Sequence, residues 1–366
     1  MSARIGESGR VEKGKGLDVG TAFIYSAERE RGKIVYHRQR DAFFDIEQGD
    51  FTKRMLDKVS VNYVQKDETL YVIGDEAIEF ANIFNKEYRR PLACGVISPR
   101  EKEALPMIEL IIQSLIGAPR LKGEIVYYSV PGAPLDAGFD VVYHEKVIKG
   151  ILERAGYAAK PINEAMAIVF SELGGENFTG LAISFGAGMV NVCLSFMSVP
   201  IITFSLSKGG DWIDQQAAVA VGETASRVCA IKENEFELSA SDQTTSIKKA
   251  LSIYYDNLID YVLARIKKEM ERSDKMPRLK KPITLIVAGG TSLPKGFVER
   301  FSKQLWKLRF PIAIGEIRPA SHPLQSVVRG ALIAAITDGE KEVERGKKAV
   351  EFIEQAKEVG KIPIAV

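Results

Sequence analysis

The chain of 366 residues is poor in cysteine and histidine, with three of each. Cys94, Cys193 and Cys229 are widely separated and odd in number, which excludes a disulfide framework and a thiolate metal site and predicts a reducing compartment. His37, His144 and His322 have no partner at metal-ligand or triad spacing, so surface or capping roles account for them. Net charge is scarce too: 50 Lys plus Arg against 48 Asp plus Glu leave +2, and no overall field draws the chain to nucleic acid or acidic lipid. The densest basic stretch, Arg265 to Lys281, carries eight basic and three acidic residues without interleaved aromatics, the pattern of a solvated helix face and loop. No run approaches the roughly eighteen apolar residues of a membrane span, and the first fifteen have no apolar core, which predicts a cytoplasmic protein. A GxxxxGK[ST] loop and a GxGxxG turn after a strand are both missing, which removes the P-loop and Rossmann readings.

What is present is a chain 46% hydrophobic and 27% charged, long enough for two packed domains. Alternating β-branched residues predict strands at 16–27 and 33–38 across the charged turn Glu28 to Gly32. A segment of the same character, Gly180 to Phe196, follows 164 residues later and leads into another strand, an offset that suits a duplicated α/β domain. Strands at 70–74, 124–132 and 283–290 alternate with helices at 101–117, 144–156, 211–230, 244–272, 294–308 and 322–337, so the fold class is α/β. Residues 338–366 place Val343, Val350 and Ile353 at helical spacing and predict an appended amphipathic helix. Its balanced charge favours packing on the chain's own body or on a neighbouring subunit over binding anionic lipid.

Three turns carry possible chemistry. Asp18-Val19-Gly20-Thr21 ends an apolar strand where glycine lets backbone N–H groups approach an anion, and a carboxylate beside such a cradle can hold hydrated Mg²⁺. A plain hairpin accounts for the same four residues. Gly186-Ala187-Gly188 is its mirror in the second half, so two facing turns could clasp a polyphosphate. Ile286 to Pro294 runs a buried strand into Gly289-Gly290-Thr291 and a helix start, a place for a nucleotide or simply a strand-to-helix turn.

Taken in order, these segments resemble the actin-like ATPase superfamily, whose members share two RNase-H-like domains around a nucleotide cleft. Gly16 to Thr21 is like the first phosphate loop, Pro161 to Ala167 the first connecting helix, Ser184 to Met189 the second phosphate loop, Val287 to Phe297 the adenosine segment, and Gln325 to Ala331 the second connecting helix. Lys208-Gly209-Gly210-Asp211-Trp212-Ile213-Asp214, Val221 to Ala225 and Gly74 to Ala77 look most like the bacterial actin MreB. The resemblance implies a flexible segment 1–15, a first domain 16–165 with a subdomain inserted at about 34–96 and completed by 317–337, and a second domain 166–316 with a subdomain at about 211–280. The extension 338–366 follows.

The resemblance further implies ATP or ADP with Mg²⁺ as cofactors. Asp18 would order the metal shell, Gly20 and Thr21 contact phosphate, and Glu164 orient the attacking water; as a plain residue, Glu164 is a carboxylate favoured by a helix N-terminus. Ser184, Gly186, Gly188, Gly210, Glu223, Gly289, Gly290 and Thr291 would complete the nucleotide site. One departure stands out. Family members begin the second loop with aspartate and continue with threonine, where this chain has Ser184 and Met189, so slow hydrolysis is expected. The function implied is a cytoskeletal ATPase whose partner is itself, in a filament, with a membrane or cytoskeletal partner in addition. A non-polymerising ATP-binding scaffold, a sugar kinase and a DnaK-type chaperone are the alternatives. The short segment after Thr337 cannot form the chaperone's substrate-binding domain.

Overall fold

A computed structural model of the chain describes residues 14–58, 61, 63–84, 86–240, 243–277, 279 and 281–341. The expected extension beyond residue 341 and the first thirteen residues lie outside the described residues.

The chain opens with an antiparallel meander, β1 (Lys15–Val19), β2 (Phe23–Glu30) and β3 (Lys33–Arg40). Within the stretch 16–27 the chain turns back at Gly20, as the turn read at Asp18 to Thr21 implies, and the Gly20 N–H closes that turn on the Phe23 carbonyl at 3.2 Å. A small unit follows: β4 (Phe43–Glu47), α1 (Asp50–Lys58), β5 (Tyr63–Lys66), β6 (Thr69–Ile73) and α2 (Asp75–Ile83), with a three-stranded sheet ordered β4-β6-β5 over its own core of Phe44, Leu56, Leu70, Val72 and Phe80. The hairpin of β7 (Leu92–Ala93) and β8 (Val96–Ile97) leads back to α3 (Ala104–Ile116), β9 (Ile125–Val130), α4 (Val142–Arg154), β10 (Ala158–Asn163) and α5 (Glu164–Glu172). Because β9 pairs in parallel with β1 and with β10, the first sheet is ordered β10-β9-β1-β2-β3.

The same arrangement then repeats. An antiparallel meander of β11 (Gly180–Phe185), β12 (Val190–Phe196) and β13 (Val199–Leu206) precedes α6 (Gly210–Val221), α7 (Ala225–Asn234), α8 (Ser246–Arg272), β14 (Ile283–Ala288), α9 (Phe297–Leu305) and β15 (Ile314–Pro319). Parallel pairs β11–β14 and β14–β15 complete the order β13-β12-β11-β14-β15. Each lobe is therefore an RNase-H-like sheet, three antiparallel strands extended by two parallel ones, whose crossovers carry helices. The helix expected over 211–230 is two helices. Gly222, at φ 71°, ends α6 in the left-handed region, and the Thr224 hydroxyl accepts the Arg227 N–H to start α7.

In α8, Ile247, Leu251, Tyr255, Leu258, Val262 and Ile266 recur at helical spacing and are buried in the second lobe's core. Each such burial stabilises by about 1.5–3 kcal/mol. The lobes meet through helices made of small side chains. α5 and α10 (residues 326–341) join Ala182, Cys193 and Ala288 in one cluster. There a Cβ on Gly330 would lie 1.8 Å from the Ala167 carbonyl oxygen, so the two helix backbones are in direct contact. Val328 and Leu332 of α10 also close the underside of the first sheet against Tyr25 and Ala27. α10 passes through Thr337 without a break, and Asp338 accepts from Lys160 at 2.5 Å and from Tyr127 at 3.2 Å. Among the described residues no helix is long and apolar enough to cross a membrane.

Candidate functional site

The β1–β2 turn of one lobe and the β11–β12 turn of the other face one cavity of about 620 Å³, within the range of small-molecule sites. Of the residues expected in a nucleotide site, Asp18, Gly20 and Thr21 line it from the first turn and Ser184, Gly186 and Gly188 from the second. Gly289, Gly290 and Thr291 line it from the end of β14, and Glu164 from the start of α5.

The two turns touch. A Cβ on Gly188 would sit 2.4 Å from Thr21 Oγ1 and 2.6 Å from the Gly95 amide nitrogen, and that amide itself donates to Thr21 Oγ1 at 3.0 Å. The β7–β8 turn thus seals the gap between the lobes. The Gly20 and Gly186 N–H groups are spent on closing their own turns. The amides of Thr21, Ala22, Ala187 and Gly188 donate to no backbone carbonyl among the described residues, which leaves them available to an anion. The second turn is braced from behind: Gly186 O accepts from Gly210 N at 3.0 Å and from Thr291 Oγ1 at 2.8 Å, and Ala187 O accepts from Asp211 N at 2.9 Å.

Two partly buried carboxyls form the floor. Ser129 Oγ donates to Asp18 Oδ1 at 2.8 Å and accepts the Val19 N–H, which fixes Asp18 at the end of β1. Glu164 is the first residue of α5, whose N-cap Asn163 accepts the N–H groups of Ala165 and Met166. Burial raises both carboxyls above their ordinary values; the Asp18 charge raises Glu164 further, while hydrogen bonds from Ser129 and Asn191 pull the other way. Among the described residues neither has an ion-pair partner. The donors are hard oxygens, and among the described residues no group of three or more His, Cys, Asp or Glu could cage a metal. That set fits Mg²⁺, which keeps most of its waters and binds through one or two carboxylates plus phosphate.

Two expected residues are elsewhere. Gly210 lies behind the second turn, where a Cβ would meet Thr291 Oγ1 at 2.6 Å. Glu223 is not on the cavity wall; it pairs with Arg227 at 3.0 Å on the first turn of α7. Several lining groups were invisible in the sequence. Lys232 on α7 is buried against Asp214 at 2.6 Å, with burial and the ammonium pulling Asp214 in opposite directions and burial prevailing to raise it. Arg90 grips both carboxylate oxygens of Asp211, at 3.2 and 3.0 Å, and so ties the β7 segment to α6. Arg40 and Arg38 stack on Phe23 at the mouth, 4.2 and 4.8 Å from its centroid. The polar residue inside the apolar run Val190-Asn191-Val192-Cys193-Leu194 was the signal that could have found Asn191.

A family model described as Volactin matches residues 14–335. No curated protein matches the sequence significantly. Among solved structures, MamK in a double helical filament aligns with a TM-score of 0.65 and 17% identity, covering 88% of this chain and 98% of MamK. MreB5 of Spiroplasma citri bound to AMPPNP aligns with a TM-score of 0.66 and 16% identity over 91% of this chain and 98% of that one. The same protein bound to ADP gives 0.62 and 16% over 92% and 98%. At such identities the likeness establishes the fold, which is actin-like, of the MreB and MamK type.

Proposed function

Because the chain belongs to the Volactin family and has an actin-like fold, we propose that it is a cytoskeletal ATP-binding protein whose copies assemble head to tail into nucleotide-dependent filaments and hydrolyse ATP slowly. The observation that carries this reading is the meeting of two glycine turns, one from each lobe, over a pair of partly buried carboxyls. The filament of MamK and the nucleotides held by MreB5 support it.

In this reading the free amides of Thr21, Ala22, Ala187 and Gly188 hold the phosphates. Asp18 would hold Mg²⁺, which would supply positive charge to stabilise the phosphates. Glu164 faces the terminal phosphate and orients water, and Gly289, Gly290 and Thr291 border the nucleoside. Ser184, buried beside the second turn, offers a hydroxyl where the resemblance to actin-like ATPases implies a carboxylate, so the second lobe brings no negative charge to the metal and turnover is slow. A head-to-tail contact that does not close on itself propagates, and a nucleotide between the lobes selects the conformation that propagates. Calorimetry with Mg-ATP and Mg-ADP, followed by pelleting and negative-stain microscopy, tests the reading. Micromolar binding with ATP-dependent pelleting is expected, and no heat with either nucleotide would end it. Ser184 also suits the non-polymerising scaffold: a monomer that binds ATP and stays in the supernatant would favour that alternative.

A further inference from the structure

Asn191 of β12 is 1% exposed and has both ends of its amide engaged. Its Nδ2 donates to Glu164 Oε2 at 2.8 Å, and its Oδ1 accepts the Gly132 N–H at 2.8 Å. A reversed amide would set two donors against each other at Gly132, so the orientation is fixed. With Oε2 committed to Asn191, Oε1 is the oxygen of Glu164 left for a water in the cavity.

The three residues come from different bodies. Asn191 belongs to the second sheet, whereas Glu164 follows β10 and Gly132 follows β9 of the first. Gly132 begins a strap, 132–136, laid along β13. Ser205 Oγ donates to Gly132 O at 2.8 Å, Ser205 N to Ala133 O at 2.9 Å, and Leu135 N to Ser205 O at 3.0 Å. Asp136 anchors the far end by accepting from Ser207 N at 2.8 Å and from the Tyr261 hydroxyl at 2.7 Å. The approach is tight enough that a Cβ on Gly132 would lie 2.7 Å from the Phe204 carbonyl carbon. Any separation of the lobes that lifts the strap from β13 withdraws Asn191 from Gly132 and from Glu164 together.

We propose that Asn191 is a positioning residue: it aims Glu164 into the cavity only while the strap is seated on β13, so that lobe closure and the orientation of Glu164 are one event. This rests on the nucleotide reading of the cavity and adds how that site is regulated.

Two variants of the full chain separate the ends of the amide. Asn191→Asp can still accept from Gly132 but cannot donate to Glu164, whereas Asn191→Ala loses both. With Mg-ATP, Asn191→Asp is expected to lower kcat by roughly tenfold or more with KM within about threefold, as for an interaction made only in the transition state. Its Gly132 amide should exchange as slowly as in wild type, and Asn191→Ala should speed that exchange by about tenfold or more. Unchanged kcat in Asn191→Asp, or unchanged Gly132 exchange in Asn191→Ala, overturns the proposal, as does wild-type turnover no faster than that of Glu164→Gln. The nucleotide reading fails separately, on absent calorimetric binding. In that case Gly132 exchange in the ligand-free variants still decides whether Asn191 joins the lobes.

Discussion

Gly188→Ala is the sharpest test of the closed cleft. The added methyl would lie 2.4 Å from Thr21 Oγ1 and 2.6 Å from the Gly95 nitrogen. Thr21 can turn aside, but Gly95 is backbone and sits in the two-stranded turn that bridges the lobes. An ordinary carbon contact is about 3.5 Å or more, so the turns must part by roughly 1 Å. Parting them stretches the 3.0 Å bond from Gly95 N to Thr21 Oγ1. Overpacking costs about 1–3 kcal/mol and the lost hydrogen bond about 0.5–1.5 kcal/mol, so a loss of roughly 2–4 kcal/mol is expected. Urea unfolding read by tryptophan fluorescence measures it, and small-angle scattering of the same samples should register a slightly larger radius of gyration. A variant with wild-type midpoint and radius would mean that the turns do not touch in solution, and the polyphosphate clasp would have to be redrawn.

Further outcomes follow from the buried charges. Asp18 is raised to about 6 and Glu164 to about 8 from ordinary values of 3.8 and 4.5, so between those limits these two groups hold more protons in the ligand-free folded chain than in the unfolded one. Above about pH 6.5, where the buried His144, lowered to about 4, no longer contributes the opposite slope, Tm should fall as pH rises to about 8; Glu164→Gln should flatten that fall, and a variant curve parallel to wild type over this range contradicts the assignment. Lys232→Met leaves the Asp214 carboxylate buried without its ammonium partner and should cost about 3–5 kcal/mol in urea unfolding. Adding Asp214→Leu should return most of it, and a double variant as unstable as the single would show that packing, not charge, is at stake. Ser184→Asp should speed phosphate release by about tenfold or more at saturating Mg-ATP, since it restores a carboxylate to the second turn; an unchanged rate removes Ser184 as the cause of slow turnover.

The two-lobed architecture was legible because its signals are local. β1 and β11 are apolar strands that end in glycine turns, and Gly180 stands to the second meander as Gly16 does to the first. The turns themselves announced Asp18, Thr21 and Gly188. Long-range partners left no such trace. Arg90 meets Asp211 across 121 residues of chain, and Gly132 meets Asn191 across 59. Lys232 sits among charged neighbours on α7 and looks like a solvent-facing residue until the fold buries it against Asp214. Glu223 shows the opposite limit: its place after a family-like stretch suggested the nucleoside, but Arg227 in the first turn of α7 pairs with it away from the cavity wall. The break at Gly222 was missed because apolar residues continue at helical spacing on both sides of it.

The packing of α10 under β1 has a consequence for synthesis. Strands β11 to β15 find all their sheet partners between residues 180 and 319, so the second lobe can assemble as soon as that stretch has cleared the ribosome. The first lobe cannot: Tyr25 and Ala27 wait for Val328 and Leu332, about three hundred residues downstream. Until then the nascent chain carries an apolar underside in want of α10, and that is where a holding chaperone would meet it.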